Sequence, residues 1–181
     1  MRILVANFFP AFHPPRSGGE QRYYYLYHYL SRHYDITLLS PTYSNHTFEV
    51  VTFSPTFREH RVPKDEVFDQ LHWKLGVEGI GPECSGYVVS LAAAVETQFS
   101  CRFDALVSDA DLIIHESPFT LPYDRTLGID GKARIYNAYN VEHRLAAHIL
   151  RGETGRNAVE FIRFLEQSLA GFATVLFATC E

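Results

Sequence analysis

Two adjacent glycines at the start of a helical pattern are the first residues with chemical potential. In Pro14-Pro15-Arg16-Ser17-Gly18-Gly19-Glu20 the glycines sit where a helix has backbone N–H groups without intrahelical partners. Those donors and the positive helix end could seat an anion. A plain tight turn has the same composition. The segment lacks both GxGxxG and GxxxxGK followed by Ser or Thr, so neither a dinucleotide site nor a P-loop is indicated. His115-Glu116-Ser117-Pro118 follows an apolar run, at the strand end where α/β sheets bind ligands. His115 there could hydrogen-bond a ligand hydroxyl or stabilise developing charge, or could be a structural histidine. Asn140-Val141-Glu142-His143 repeats that position after the next run. Asn140 could cap a helix, and Glu142 could complement its dipole.

Other chemistries find no residues to carry them. There is no GxSxG elbow and no HExxH, and His143 and His148 are five apart, which does not place two ligands on one helical face. No metal site is expected. The three cysteines form no CxxC pair and read as reduced thiols. Arg58, His60, Arg61 and Lys64 could receive a phosphate or simply be solvated. Sixteen basic against 21 acidic residues, net charge -5, argue against a nucleic-acid partner.

The elements that must position these residues follow from hydrophobic periodicity. Residues 2–6 read as a buried strand. A helix from Glu20 carries Tyr23, Leu26, Tyr27, Leu30 and Tyr34 on one face, and Asp35–Ser40 resets to a strand. Strand, glycine loop, helix and strand make a βαβ unit with parallel strands. Strands are predicted at 47–53, 57–62, 112–115, 133–139 and 174–178. Helices are predicted at 65–75, about 82–107 with Gly81 and Pro82 at its start, 141–150, and 155–170 opened by Thr154 as a cap. The fold class is α/β, a Rossmann-like doubly wound parallel sheet in a single domain spanning 1–181. A chain of 181 residues can bury roughly 70% of its unfolded surface without metal or disulfide support. No apolar stretch is long enough for a signal-peptide core or a membrane span, which points to the cytoplasm. Tyr25 and Tyr29, with Arg22 and Arg32, form a second helix face that could touch the inner surface of a membrane, meet a partner, or be partly buried. The chain stops just past the 174–178 strand, where ligand-contacting loops of such sheets begin, so continuation into a longer protein is expected.

In order and spacing these pieces resemble the N-terminal domain of GT-B glycosyltransferases, specifically the retaining family 4 type. The resemblance runs from Phe9-Pro10 through Gly18-Gly19, His33-Tyr34-Asp35-Ile36-Thr37-Leu38-Leu39 and Asp109-Ala110-Asp111-Leu112-Ile113-Ile114-His115-Glu116. It continues through Asn140-Val141-Glu142 to the segment from Glu166 to Glu181. It implies transfer of a sugar, with retention, from a nucleotide-sugar donor to a glycan or lipid acceptor, as in polysaccharide assembly. No cofactor beyond the donor substrate is implied. Gly18 and Gly19 would approach the donor phosphates, and His115 would be catalytic, touching the transferred sugar. Acceptor contacts would fall on loops 10–19, 41–64 and 116–125, with Arg16, Glu116, Asn140 and Glu142 as candidates. The family's donor-binding C-terminal domain is absent from this sequence, so the chain alone is expected to be inactive. A non-catalytic binding or scaffold module is the main alternative; a nucleotide-dependent oxidoreductase is the weaker one, because its glycine fingerprint is missing.

Overall fold

A computed structural model describes residues 1–81 and 84–178. The predicted start at Pro82 and the terminal Cys180 and Glu181 lie outside those residues. The strands are β1 (Arg2–Ala6), β2 (Asp35–Thr42), β3 (Glu49–Ser54), β4 (Phe57–Pro63), β5 (Leu112–His115), β6 (Ala133–Ala138) and β7 (Val175–Ala178). They form one sheet in the order β3-β4-β2-β1-β5-β6-β7. Every pairing is parallel except β3 with β4, which forms an antiparallel hairpin at one edge. The order reverses between β1 and β5: the chain leaves β1 towards β2 on one side and returns to β5 on the other. That is the switch point at which such sheets open a crevice beyond their carboxyl ends.

Alternation along each strand divides the core between two faces. Ile3, Val5, Ile36, Leu38, Phe57 and Ile114 pack against α1 (Gly18–Leu30) through Tyr23, Tyr24 and Tyr27. Leu4, Ala6, Leu39, Val62 and Ile113 face the opposite layer, made of α2 (Glu66–Val77), α3 (Ser85–Ala92), α4 (Gln98–Asp109) and part of α6 (Gly152–Phe172). The sheet is therefore wound on both faces but unevenly. On the α1 side, α1 leaves an apolar groove of about 640 Å³ where Leu112, Ile135 and Phe177 meet Leu26 and Tyr34.

Several boundaries differ from the sequence reading. The buried stripe of α1 is Tyr23, Tyr24 and Tyr27, whereas Leu26 and Tyr34 stay partly exposed, because the open groove leaves nothing to cover them. The long helix expected at about 82–107 is two helices. Thr97 caps α4, accepting from the Ser100 N–H, while the Thr97 N–H is taken by the Ser100 hydroxyl. This reciprocal cap interrupts a pattern that is apolar on both sides of it. Helix α6 starts at Gly152 rather than at Gly155, so Thr154 lies inside its first turn and does not cap it, and no side chain caps this end. A short 3-10 helix at Pro118–Tyr123 follows β5, and α5 (Glu142–Ile149) follows β6.

Candidate functional site

The cleft at the switch point has a volume of about 390 Å³ and is lined by Phe8, Phe9, Gly18, Gly19, Arg22, Tyr139, Asn140 and Glu142. It brings together four of the residues singled out from sequence, from the ends of β1 and β6 and the start of α1. Ser17 caps α1, its hydroxyl accepting from the Glu20 N–H at 3.2 Å, and the Gln21 N–H reaches Ser17 O at 2.9 Å. Among the described residues the Gly18 and Gly19 N–H groups have no hydrogen-bond partner, and both glycines line the cleft. A Cβ at either glycine would meet no atom within 4 Å, so both face open space.

The loop before α1 is fixed from below by β4. Glu59 has no exposed surface and accepts from the Ala11 N–H (2.7 Å), the Ser40 hydroxyl (2.7 Å) and Arg61 Nε (2.8 Å). Arg61 donates to Ala11 O at 2.8 Å, so both backbone groups of Ala11 are clamped. Arg61 also pairs with Glu49, Arg58 pairs with Asp35, and Lys64 donates to Ser85. These cations of the 58–64 cluster act as staples within the fold.

Beneath the cleft, Glu116 is completely buried. Its Oε1 accepts from the Tyr27 hydroxyl and from Asn137 Nδ2 at 2.7 Å, and the Tyr139 hydroxyl lies close by. Burial raises its carboxyl above the ordinary value, and these three groups oppose that shift. Asn137 Oδ1 in turn accepts from the Arg22 guanidinium at 2.6 Å, and Arg22 lies 4.5 Å from the centre of the Tyr139 ring. Phe9 packs edge-on to Tyr23, whose hydroxyl is buried without a hydrogen-bond partner among the described residues, as is Asn7 Nδ2 just past the end of β1.

Glu142 and Asn140 form the far rim. Asn140 does not cap α5; its Nδ2 lies 3.4 Å from Glu142 Oε1. The N–H groups of Glu142 and His143 are instead taken by Glu166 of α6, at 2.6 and 3.1 Å, and His143 Nδ1 pairs with the same carboxylate. Burial raises the Glu142 carboxyl, Asn140 opposes this, and the Glu166 charge adds to it.

Two candidates lie elsewhere. Arg16 is exposed on the loop, and its N–H donates to Glu20 Oε2 at 2.6 Å. His115 has no exposed surface and points to the other face of the sheet, stacked on Phe103. Its Nδ1 lies 2.9 Å from the Thr120 hydroxyl and its Nε2 3.1 Å from Asp124 Oδ2. Asp124 accepts only, so Nε2 carries the proton. Arg134, also buried, closes the network with two bonds to Asp124 at 2.8 and 2.9 Å. Burial would raise the Asp124 carboxyl, but His115 and Arg134 hold it well below the usual carboxylate range. The resemblance implies a ring that touches sugar. The observed ring commits both nitrogens to the segment after β5 and anchors it.

Sequence reasoning set Arg22 on an outer face of the helix with Tyr25 and Tyr29, whereas it lines the cleft, and passed over Asn137 and Tyr139 as site residues. Arg22 follows Gly19 by three positions, which sets it one turn along on the same side of α1, a spacing that could have flagged it. Asn137 had no such signal, since its role depends on β6 lying beside β5.

No protein-family model matches the chain, and no curated protein matches it. Among solved structures, that of trehalose-6-phosphate from E. coli bound with UDP-2-fluoro glucose is similar, with a TM-score of 0.55 and 13% identity. The likeness covers 97% of this chain and 39% of that one, so this chain spans well under half the length of its neighbour. It shows the fold, a Rossmann-like, mostly parallel sheet with helices on both faces.

Proposed function

We propose that this chain is the acceptor-side half of a retaining glycosyltransferase that moves a sugar from a nucleotide-sugar donor to a glycan or lipid acceptor. The observation that carries the reading is the convergence of Gly18, Gly19, Asn140 and Glu142 on one cleft at the β1–β5 switch point. In the reaction the bond from the anomeric carbon to the donor diphosphate breaks. An acceptor hydroxyl oxygen bonds to that carbon and passes its proton to the departing diphosphate oxygen, and the nucleoside diphosphate leaves. Phosphate oxygens would lie against the Gly18 and Gly19 N–H groups. Asn140 and Glu142 would hold hydroxyls, and Phe8, Phe9 and Tyr139 would stack on a sugar ring. Glu116 supports this surface from below through Asn137 and Tyr139, and Arg16 remains as a contact for the acceptor's outer part. His115 acts by fixing the end of β5. A second, donor-binding domain would close over the cleft, as the length of the neighbouring structure suggests. That neighbour contains a UDP-sugar analogue, which makes UDP-glucose the first donor to test.

Gly19→Val provides the test. The added side chain enters open space, so the urea midpoint should barely move, within about 0.5 kcal/mol. Saturable binding of UDP-glucose, followed by ligand-observed NMR, should weaken severalfold. Equal binding by both proteins would remove the glycines from the donor site.

A further inference from the structure

We propose that Arg22 is the charge reader of the cleft. It selects ligands bearing an anionic oxygen group, a phosphate or a carboxylate, over neutral ones; what else the ligand contains rests on the sugar-transfer reading. Arg22 lines the cleft beside Gly18 and Gly19 and is half-buried there. Its one protein hydrogen bond among the described residues runs to Asn137 Oδ1, leaving other N–H donors of the guanidinium unused. Arg58, Arg61 and Arg134 each meet a carboxylate within 4.0 Å, but Arg22 meets none among the described residues. A half-buried cation without an ion pair is costly unless something else supplies the charge.

The surroundings keep Arg22 in place without neutralising it at contact. Asn137 is oriented unambiguously, because Oδ1 must accept from the guanidinium and Nδ2 must donate to Glu116. Glu116 Oε1 accepts from both Tyr27 and Asn137, which holds the carboxylate in place outside pairing distance of Arg22. The Tyr139 ring stabilises the cation from one face. A planar fork fixed in this way, its remaining donors beside two open backbone N–H groups, matches the oxygens of a phosphate or carboxylate. The buried Tyr23 hydroxyl, which has no hydrogen-bond partner among the described residues, lies in the same polar layer near Glu116 and Tyr139.

The test uses calorimetry on the full chain with two ligand pairs: glucose 6-phosphate against glucose, and UDP against uridine. The charged member of at least one pair should bind about tenfold or more tightly, the gain expected of charge-assisted hydrogen bonds. The pair that discriminates tells whether the anion comes from the acceptor or the donor. Arg22→Gln should cut the preference severalfold, and Arg22→Lys should restore part of it. If Arg22→Gln fails to fold by circular dichroism, salt serves instead: the wild-type preference should shrink as salt rises, and a salt-independent preference overturns the proposal. A preference undiminished in folded Arg22→Gln overturns it, as does equal binding of the charged and neutral members of both pairs, which leaves the sugar-transfer reading intact. Inorganic phosphate binding as tightly as glucose 6-phosphate upholds Arg22 and removes the sugar reading. Absence of any binding removes both.

Discussion

Truncating His115 to alanine would strip one donor from the buried Asp124 carboxylate and take Thr120's ring partner away. Leaving such groups short inside a protein costs about 1–3 kcal/mol, and the cavity beside Phe103 adds to that. The urea midpoint of His115→Ala should therefore fall clearly; an unchanged midpoint would mean that the ring is not the anchor described above. His60 offers a second residue-level test. Burial, with Arg102 and Arg58 nearby, lowers its pKa from 6.5 to about 4. The unfolded chain then takes up this proton at higher pH than the folded one. The contribution of His60 to stability is complete above pH 6.5 and declines as the pH falls from 6.5 to about 4. Thermal melts of His60→Gln across that window should lose less stability with acid than the parent does, and parallel curves would refute the assignment.

At the scale of elements, the cleft depends on how closely α3 approaches the 3-10 helix. A Cβ on Gly86 would come within 2.3 Å of the Phe119 ring, and Phe119 packs edge-on against Phe8 of the cleft at 5.2 Å. Gly86→Ala gains up to about 1 kcal/mol of helix propensity but overpacks the core at a cost of about 1–3 kcal/mol. The melting temperature should drop, and a rise would show that the ring yields without strain. The break between α3 and α4 gives a related case. Thr97 and Ser100 stand in plain view in the sequence, yet the flanking apolar spacing reads as a continuous helix. Deciding between the two needed the reciprocal cap, a local contact that fixes where α4 begins. Thr97→Ala should cost about 1 kcal/mol by the loss of that cap, measurable by chemical denaturation.

For the whole molecule, the decisive feature is the uneven covering of the sheet. The groove on the α1 side leaves Phe177 at 56% and Leu26 at 36% exposure, a contiguous apolar surface of a kind that binds hydrophobic dyes. The native chain should enhance anilinonaphthalene sulfonate fluorescence, and Phe177→Ser should lower it with little change in stability; an unchanged signal would place the dye elsewhere. The order of strands, the glycine loop and the residues at the ends of β1 and β6 were legible in the sequence, because period-two and period-3.6 patterns and Gly-Pro punctuation are local properties of the chain. Gly18, Gly19, Asn140 and Glu142 accordingly stand out from local pattern alone. The strand order decided which of them meet, since β1 must lie beside β5, and β5 beside β6, for one cleft to gather them. It also decided the fate of His115. The sequence places that residue at a strand end, but the alternation of side chains across the sheet turns its ring towards Phe103 and Asp124 and turns its neighbour Glu116 towards Arg22's layer. Which face a side chain takes, and what waits there, is set by packing between segments far apart in the chain, and only the tertiary structure contains that information.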